Sequence, residues 1–172
     1  PMFMTTIERS LVIEASLHRV WSKLANLGGI QDYNPSVKKS YYTTDLKEGE
    51  GSGRVCEFHG VGVVNEVATE WRENEGYTLK IVPVEKIPFF KEGNARFTLK
   101  AKAKESTLVH VYFEYSVKGA FIGAIMNKLA IKAQFAKGFE GILKGLKRHL
   151  EEGKLIESPR DLKGYQVELV AI

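Results

Sequence analysis

A chain of 172 residues is close to the usual size of one domain and long enough to bury roughly two-thirds of its unfolded surface. Apolar residues at 44%, charged residues at 27%, and only 16 Gly and 5 Pro exclude disorder, collagen-like repeats and low complexity. The formal charge of +4 is a mild excess with basic residues spread along the chain, which gives no footprint for nucleic acid; the lone Cys56 excludes an internal disulfide and a thiolate metal cage.

Thr5 to Glu14 is rich in β-branched and apolar residues and reads as a strand; Ser16 follows as the N-cap of a short helix carrying Val20, Trp21 and Leu24. Leu27-Gly28-Gly29 ends that helix. A second short helical piece holds Ile30, and Pro35 forces extended backbone before Val37. Six strand-like runs come next: Val37–Thr44, Arg54–His59, Val61–Trp71, Tyr77–Val84, Ala95–Ala103 and Leu108–Val117. The connections between them are short, which favours an antiparallel meander. Alternation is cleanest in the last two, where Ala95, Phe97, Leu99, Ala101 and Ala103 oppose Arg96, Thr98, Lys100 and Lys102, and Val109, Val111, Phe113 and Tyr115 oppose His110, Tyr112 and Glu114.

Phe121 to Glu152 reads as one long helix ending at Gly153. Its apolar face drifts: Ile122, Ile125, Leu129, Ala133 and Ala136 share one stripe, while Phe139, Leu143, Leu146 and Leu150 lie about a quarter turn away. A kink near Gly138 is expected to keep both halves on a curved sheet. Residues 154–172 form a tail after the main unit of residues 1–153. Its end, Tyr165 to Ile172, alternates like a strand that adds to a sheet edge, pairs with a second subunit, or stays loosely attached.

This order has one obvious packed solution, an α+β fold with a seven-stranded antiparallel sheet curved around the long helix and an apolar cavity between them. The same order resembles the START and Bet v 1-like (SRPBCC, helix-grip) superfamily, and within it the polyketide cyclase/dehydrase and lipid-transport group. The segments that carry the resemblance are Ile13-Glu14-Ala15 with Val20-Trp21, Tyr33-Asn34-Pro35-Ser36-Val37, Gly51-Ser52-Gly53-Arg54, Asn65-Glu66-Val67 and the terminal helix. The resemblance implies a carrier or sensor for a hydrophobic small molecule such as a lipid, isoprenoid or polyketide-like compound. The alternative it implies is a cyclase or dehydrase-like enzyme in which Arg54, Lys38, Glu66 or His59 steers proton transfer.

A weaker similarity to the plant abscisic acid receptors implies a cavity-facing lysine at Lys38 with Glu66 as its polar partner. A one-residue slip would send Lys39 inward instead. The receptors' gate and latch correspond to His59-Gly60-Val61-Gly62 and Glu85-Lys86-Ile87, and neither motif is kept. Ile87-Pro88-Phe89-Phe90 reads as a lid or a local apolar plug. Arg54 alternates with Cys56 and Phe58, so it either meets an anionic or carbonyl group of a ligand or sits at the sheet rim paired with a carboxylate.

The inward register then offers Phe58, Leu79, Ile81, Phe97, Leu99, Val111 and Phe113 from the sheet, and Met126, Leu129 and Ala133 from the helix, as ligand contacts. No catalytic residue, metal or cofactor is assigned. The longest apolar stretch, Gly119 to Met126, is far below the ~20 residues that span a bilayer, and no targeting segment is visible. A cytoplasmic monomer or homodimer without integral membrane association or nucleic-acid partner is the expectation.

Overall fold

The computed structural model describes residues 4–60, 62–85 and 87–171. Its seven strands are β1 (Thr5–Ile13), β2 (Val37–Tyr42), β3 (Gly53–Phe58), β4 (Val63–Arg72), β5 (Gly76–Glu85), β6 (Phe90–Ala103) and β7 (Ser106–Val117). They form one antiparallel sheet in the order β1-β7-β6-β5-β4-β3-β2. Helix α1 (Leu17–Ala25) and a 3-10 segment (Leu27–Asp32) carry the chain from β1 at one edge of the sheet to β2 at the other. The Ser16 side chain accepts a hydrogen bond from the Arg19 amide, as an N-cap does. Register shifts in β2, β4 and β6 add the local bends and twist that curve the sheet.

The long C-terminal helix comprises α2 (Ala120–Met126), a π-helical turn (Asn127–Ile131) and α3 (Lys132–Glu152), closed by Gly153 in the left-handed conformation. The drift of the apolar face is therefore absorbed at the π turn, and α3 runs through Gly138 without a break. Tyr115 Oη donates to Asn127 Oδ1 (2.5 Å) and Asn127 Nδ2 donates to Thr5 Oγ1 (2.9 Å), pinning the π turn to β7 and β1. The face expected to pack inward is turned out: Ile122, Ile125, Leu129 and Ala133 are exposed, while Phe135, Phe139, Leu143 and Leu146 face the sheet. The segment is apolar on both sides, so spacing alone does not choose the buried one. The larger aromatic and leucine side chains decide it, with Phe139 packed 4.6 Å from Phe113 and Phe135 4.7 Å from Tyr115 between ring centroids.

At its C-terminal end α3 sits directly on the corner before β2. A Cβ on Gly145 would lie 1.9 Å from the Tyr33 carbonyl oxygen, and one on Gly141 would lie 3.3 Å from the Pro35 ring. At Gly145 only glycine permits that approach. Leu143 and Leu146, fully buried beside it, contribute roughly 1.5–3 kcal/mol each. Along β6, Ala95 and Phe97 are buried as the alternation predicts, but Leu99 is half-buried and Ala101 and Ala103 are exposed, because the strand runs on beyond the core.

The tail lies along the fold. Ile156 is fully buried and its amide donates to the Asp32 carbonyl, Arg148 stacks on Tyr165, and the Val170 amide donates to the Ser10 carbonyl of edge strand β1. Residues 165–171 form no regular strand there.

Gly145→Ala is expected to destabilise the protein by about 1–3 kcal/mol through the forced contact with Tyr33. Gly138→Ala, whose Cβ meets nothing within 4 Å, is expected to stabilise it by about 0.5–1 kcal/mol through helix propensity. Paired thermal denaturation of the two variants checks both signs.

Candidate ligand cavity

Between the sheet and the helix lies a cavity of about 480 Å³. β3, β4 and β5 supply Arg54, Cys56, Phe58, Val64, Glu66 and Ile81 to its wall; β6 and β7 supply Phe90, Ala95, Phe97 and Phe113. The helix adds Met126, Ala130, Ile131, Gln134, Phe135, Gly138, Phe139 and Ile142, the segment before β2 adds Ile30, Asn34 and Ser36, and β2 itself adds Val37. Ile87, Pro88 and Phe89 cover one side. Pro88 and Gln134 are the exposed residues of this wall, and they mark where the cavity reaches the surface.

The wall is mostly apolar, with Asn34, Ser36 and Gln134 as uncharged polar members and one charged cluster, which the strand register creates. Arg54 and Glu66 are direct cross-strand partners on β3 and β4, both pointing inward. Arg54 Nε donates to Glu66 Oε2 at 3.0 Å, its Nη2 lies 3.5 Å from Oε1, and its Nη1 donates to the Leu27 carbonyl at 2.9 Å. The Cys56 thiol donates to the same Oε2 at 3.0 Å. Tyr33 and Tyr77 close the cluster, with Tyr77 Oη donating to the Leu24 carbonyl at 3.1 Å.

Burial is the largest single influence and works against the Arg54 charge, but the Glu66 carboxylate together with the acidic groups of Cys56, Tyr77 and Tyr33 outweighs it and holds the guanidinium above its ordinary range. Burial, reinforced by Glu66, pushes the Cys56 thiol well up, so it remains a protonated donor. Burial likewise lifts Tyr33 to about 12 and raises Tyr77.

The position expected of Lys38 is held by Arg54. A β-bulge between Val37 and Lys39 makes Lys38 an extra residue in β2, so both lysines face solvent and no Lys38–Glu66 pair forms. Of the other expected contacts, Arg54, Phe58, Glu66, Ile81, Phe97, Phe113 and Met126 stand on the cavity wall. Leu79 and Val111 are fully buried in the part of the sheet that the core fills. Leu99 is half-buried beyond the cavity, and Leu129 and Ala133 point outward with the rotated helix face. Phe139 was visible only as a member of the competing stripe, and Phe135 and Ile142 only as apolar residues within the long helix. Asn34 and Ser36 had the Tyr33-to-Val37 segment as their signal.

His59 is exposed and its Nε2 bonds the Glu157 carbonyl, so it does not reach the cavity. Val61 and Lys86, in the segments aligned with the receptor gate and latch, lie outside the described residues. Among the described residues no helix is long and apolar enough to cross a membrane.

A seven-stranded antiparallel sheet gripping a long C-terminal helix around an apolar cavity defines the Bet v 1-like, START class of protein. Residues 4–151 match the family described as polyketide cyclase / dehydrase and lipid transport, and the chain belongs to it. Among solved structures it is similar to the Zhui aromatase/cyclase from Streptomyces sp. R1128, with a TM-score of 0.65, 15% identity, and coverage of 89% of this chain and 100% of that one. A START superfamily protein from Mycobacterium smegmatis gives a TM-score of 0.60 and 19% identity, covering 82% of this chain and 98% of that one. Ara h 8.0201 gives 0.63 and 13%, covering 87% and 99%. At such identities the likeness is one of fold. No functionally curated protein matches in sequence.

Glu66→Gln strips Arg54 of its counter-charge inside the wall and is expected to cost about 3–5 kcal/mol in urea unfolding. Raising the pH gives a second check. An unfolded tyrosine loses its proton near 10, whereas Tyr33 in the fold holds it to about 12. The unfolded state therefore binds fewer protons in that window, and the stability contributed by Tyr33, complete below pH 10, is lost as pH rises toward 12. Absorbance titration of the tyrosines, read against unfolding, checks this.

Proposed function

We infer that the protein is a binder or carrier of a hydrophobic small molecule that bears one hydrogen-bond-accepting polar group. The observation that carries this is a single buried guanidinium, paired with Glu66, set in a predominantly aromatic and aliphatic wall. An apolar ligand body gains from leaving water, at ~25 cal/mol per Å² buried, and a carbonyl or carboxylate directed at Arg54 fixes its orientation. Lipid, isoprenoid and polyketide-like compounds have this chemistry. A cytoplasmic setting suits the free, buried Cys56 thiol.

A cyclase or dehydrase-like activity is the second reading, favoured by the family match and by the presence of Arg54, Cys56 and Glu66 together on the wall. Against it stand the protonation states. Cys56, Tyr33 and Tyr77 are all pushed up, and among the described residues no histidine lines the cavity to act as a base near neutral pH.

Native mass spectrometry of the protein purified from its own host, followed by extraction of bound small molecules, is expected to find a retained apolar compound. Ala130→Trp, which projects an indole into the cavity from the helix, is expected to abolish its retention while leaving the unfolding temperature within a few degrees. An empty wild-type protein that instead converts a polyketide-like substrate would favour the second reading.

A further inference from the structure

The three most exposed large apolar side chains among the described residues, Phe121 (77%), Leu129 (72%) and Ile122 (65%), all belong to α2 and the π turn. The inner face of the same segment, at Met126 and Ala130, is cavity wall, so the helix is apolar on both sides where it roofs the cavity. A fold that pins this segment through Tyr115, Asn127 and Thr5 presents its outer apolar face to whatever lies outside.

The charge around that face is one-sided. Between Glu114 and Glu140 the sequence has four lysines, Lys118, Lys128, Lys132 and Lys137, and no acidic residue. All four are exposed, and none forms a salt bridge among the described residues. These four account for the entire net charge of +4, leaving 21 basic and 21 acidic residues in the rest of the chain. A second acid-free basic run, Arg96 to Lys104 at the end of β6, has no exposed large apolar side chain among its residues, so only here do unanswered lysines flank exposed apolar ones.

We propose that α2 and the π turn dock the protein peripherally on an anionic lipid surface, with Phe121, Ile122 and Leu129 entering the headgroup boundary and the lysines meeting lipid phosphates. Apolar side chains that insert, flanked by lysines whose stems reach back to the headgroups, are what an interfacial helix requires. A second copy of the chain fits the face poorly, since a symmetric contact would set these lysines against one another with no carboxylate to answer them. Docking this way places the exposed opening at Pro88 and Gln134 next to the membrane, because the Phe89 carbonyl accepts from the Lys118 amide at the start of the same segment. The proposal does not require the cavity reading, as the docking face carries no group of the Arg54 cluster.

Vesicle flotation with the full chain tests it, using phosphatidylcholine alone and phosphatidylcholine mixed with phosphatidylglycerol, at low and high salt. The expected result is recovery with the anionic vesicles at low salt, at least tenfold weaker binding to phosphatidylcholine, and loss at high salt. Replacing Lys118, Lys128 and Lys132 by Gln is expected to weaken the anionic binding roughly a hundredfold, at about one lysine's share of surface attraction each. Leu129→Gln with Phe121→Ser is expected to weaken it at unchanged charge, and both variants keep the wild-type unfolding temperature. Equal recovery with both vesicle types, no recovery with either, or binding unaffected by the lysine replacement would overturn the proposal. So would a dimer in sedimentation that Leu129→Gln disperses, which would assign the face to a second copy.

Discussion

The close seat of α3 on the corner before β2 fixes one end of the helix against the sheet. Gly145 brings the helix backbone onto the Tyr33 carbonyl, and Gly141 lets the Pro35 ring in beside it. From that point the sheet curves away while the helix continues, and rings at Phe139 and Phe135 span the widening gap to Phe113 and Tyr115. Where those rings cannot fill it, a space of about 480 Å³ remains. The cavity is a consequence of holding a long helix at one end of a curved sheet.

Into this apolar space the register of β3 and β4 delivers one ion pair. Taking a guanidinium and a carboxylate out of water costs several kcal/mol per ion, and only close geometry and further hydrogen bonds repay it. Arg54 has both, through Glu66 and the Leu27 carbonyl, and Cys56 contributes a further donor to Glu66. An apolar pair would fill the same volume without that cost. Retaining the charge makes physical sense where a polar group from outside is to be met, and this is why the cluster carries the ligand-binding reading. The cluster is fixed as a set of donors rather than as a proton relay, since burial holds its thiol and phenols protonated.

The roof of the cavity follows different physics. A helix whose two sides are both apolar has no unique way to sit on a sheet, and here the π turn and the Asn127 hydrogen bonds choose. One side becomes cavity wall and the other remains exposed among lysines. The segment that roofs the cavity is thus also the least satisfied part of the surface, and the proposed membrane docking gives that exposure a role.

Period-two alternation, short turns, the Ser16 cap and the Gly153 stop are local properties, and they determined seven strands, two short helical pieces and a long C-terminal helix directly from the sequence. The inward register of Arg54, Phe58, Phe97 and Phe113 was legible for the same reason, because alternation within one strand needs no knowledge of its neighbours, whereas Glu66 was pointed to only by the family resemblance. Lys38 was not, since a bulge depends on how β2 pairs with β3 and one extra residue resets which side chains face in. Leu129 and Ala133 were not, since choosing between two apolar stripes depends on which aromatic rings the sheet offers in return. Leu79 and Val111 face inward as their strands dictate, yet whether an inward side chain meets a ligand space or another side chain is settled only by where the helix lies across the sheet. Local periodicity fixes orientation, while the cavity is defined by distances between elements far apart in sequence, and those exist only once the chain has packed.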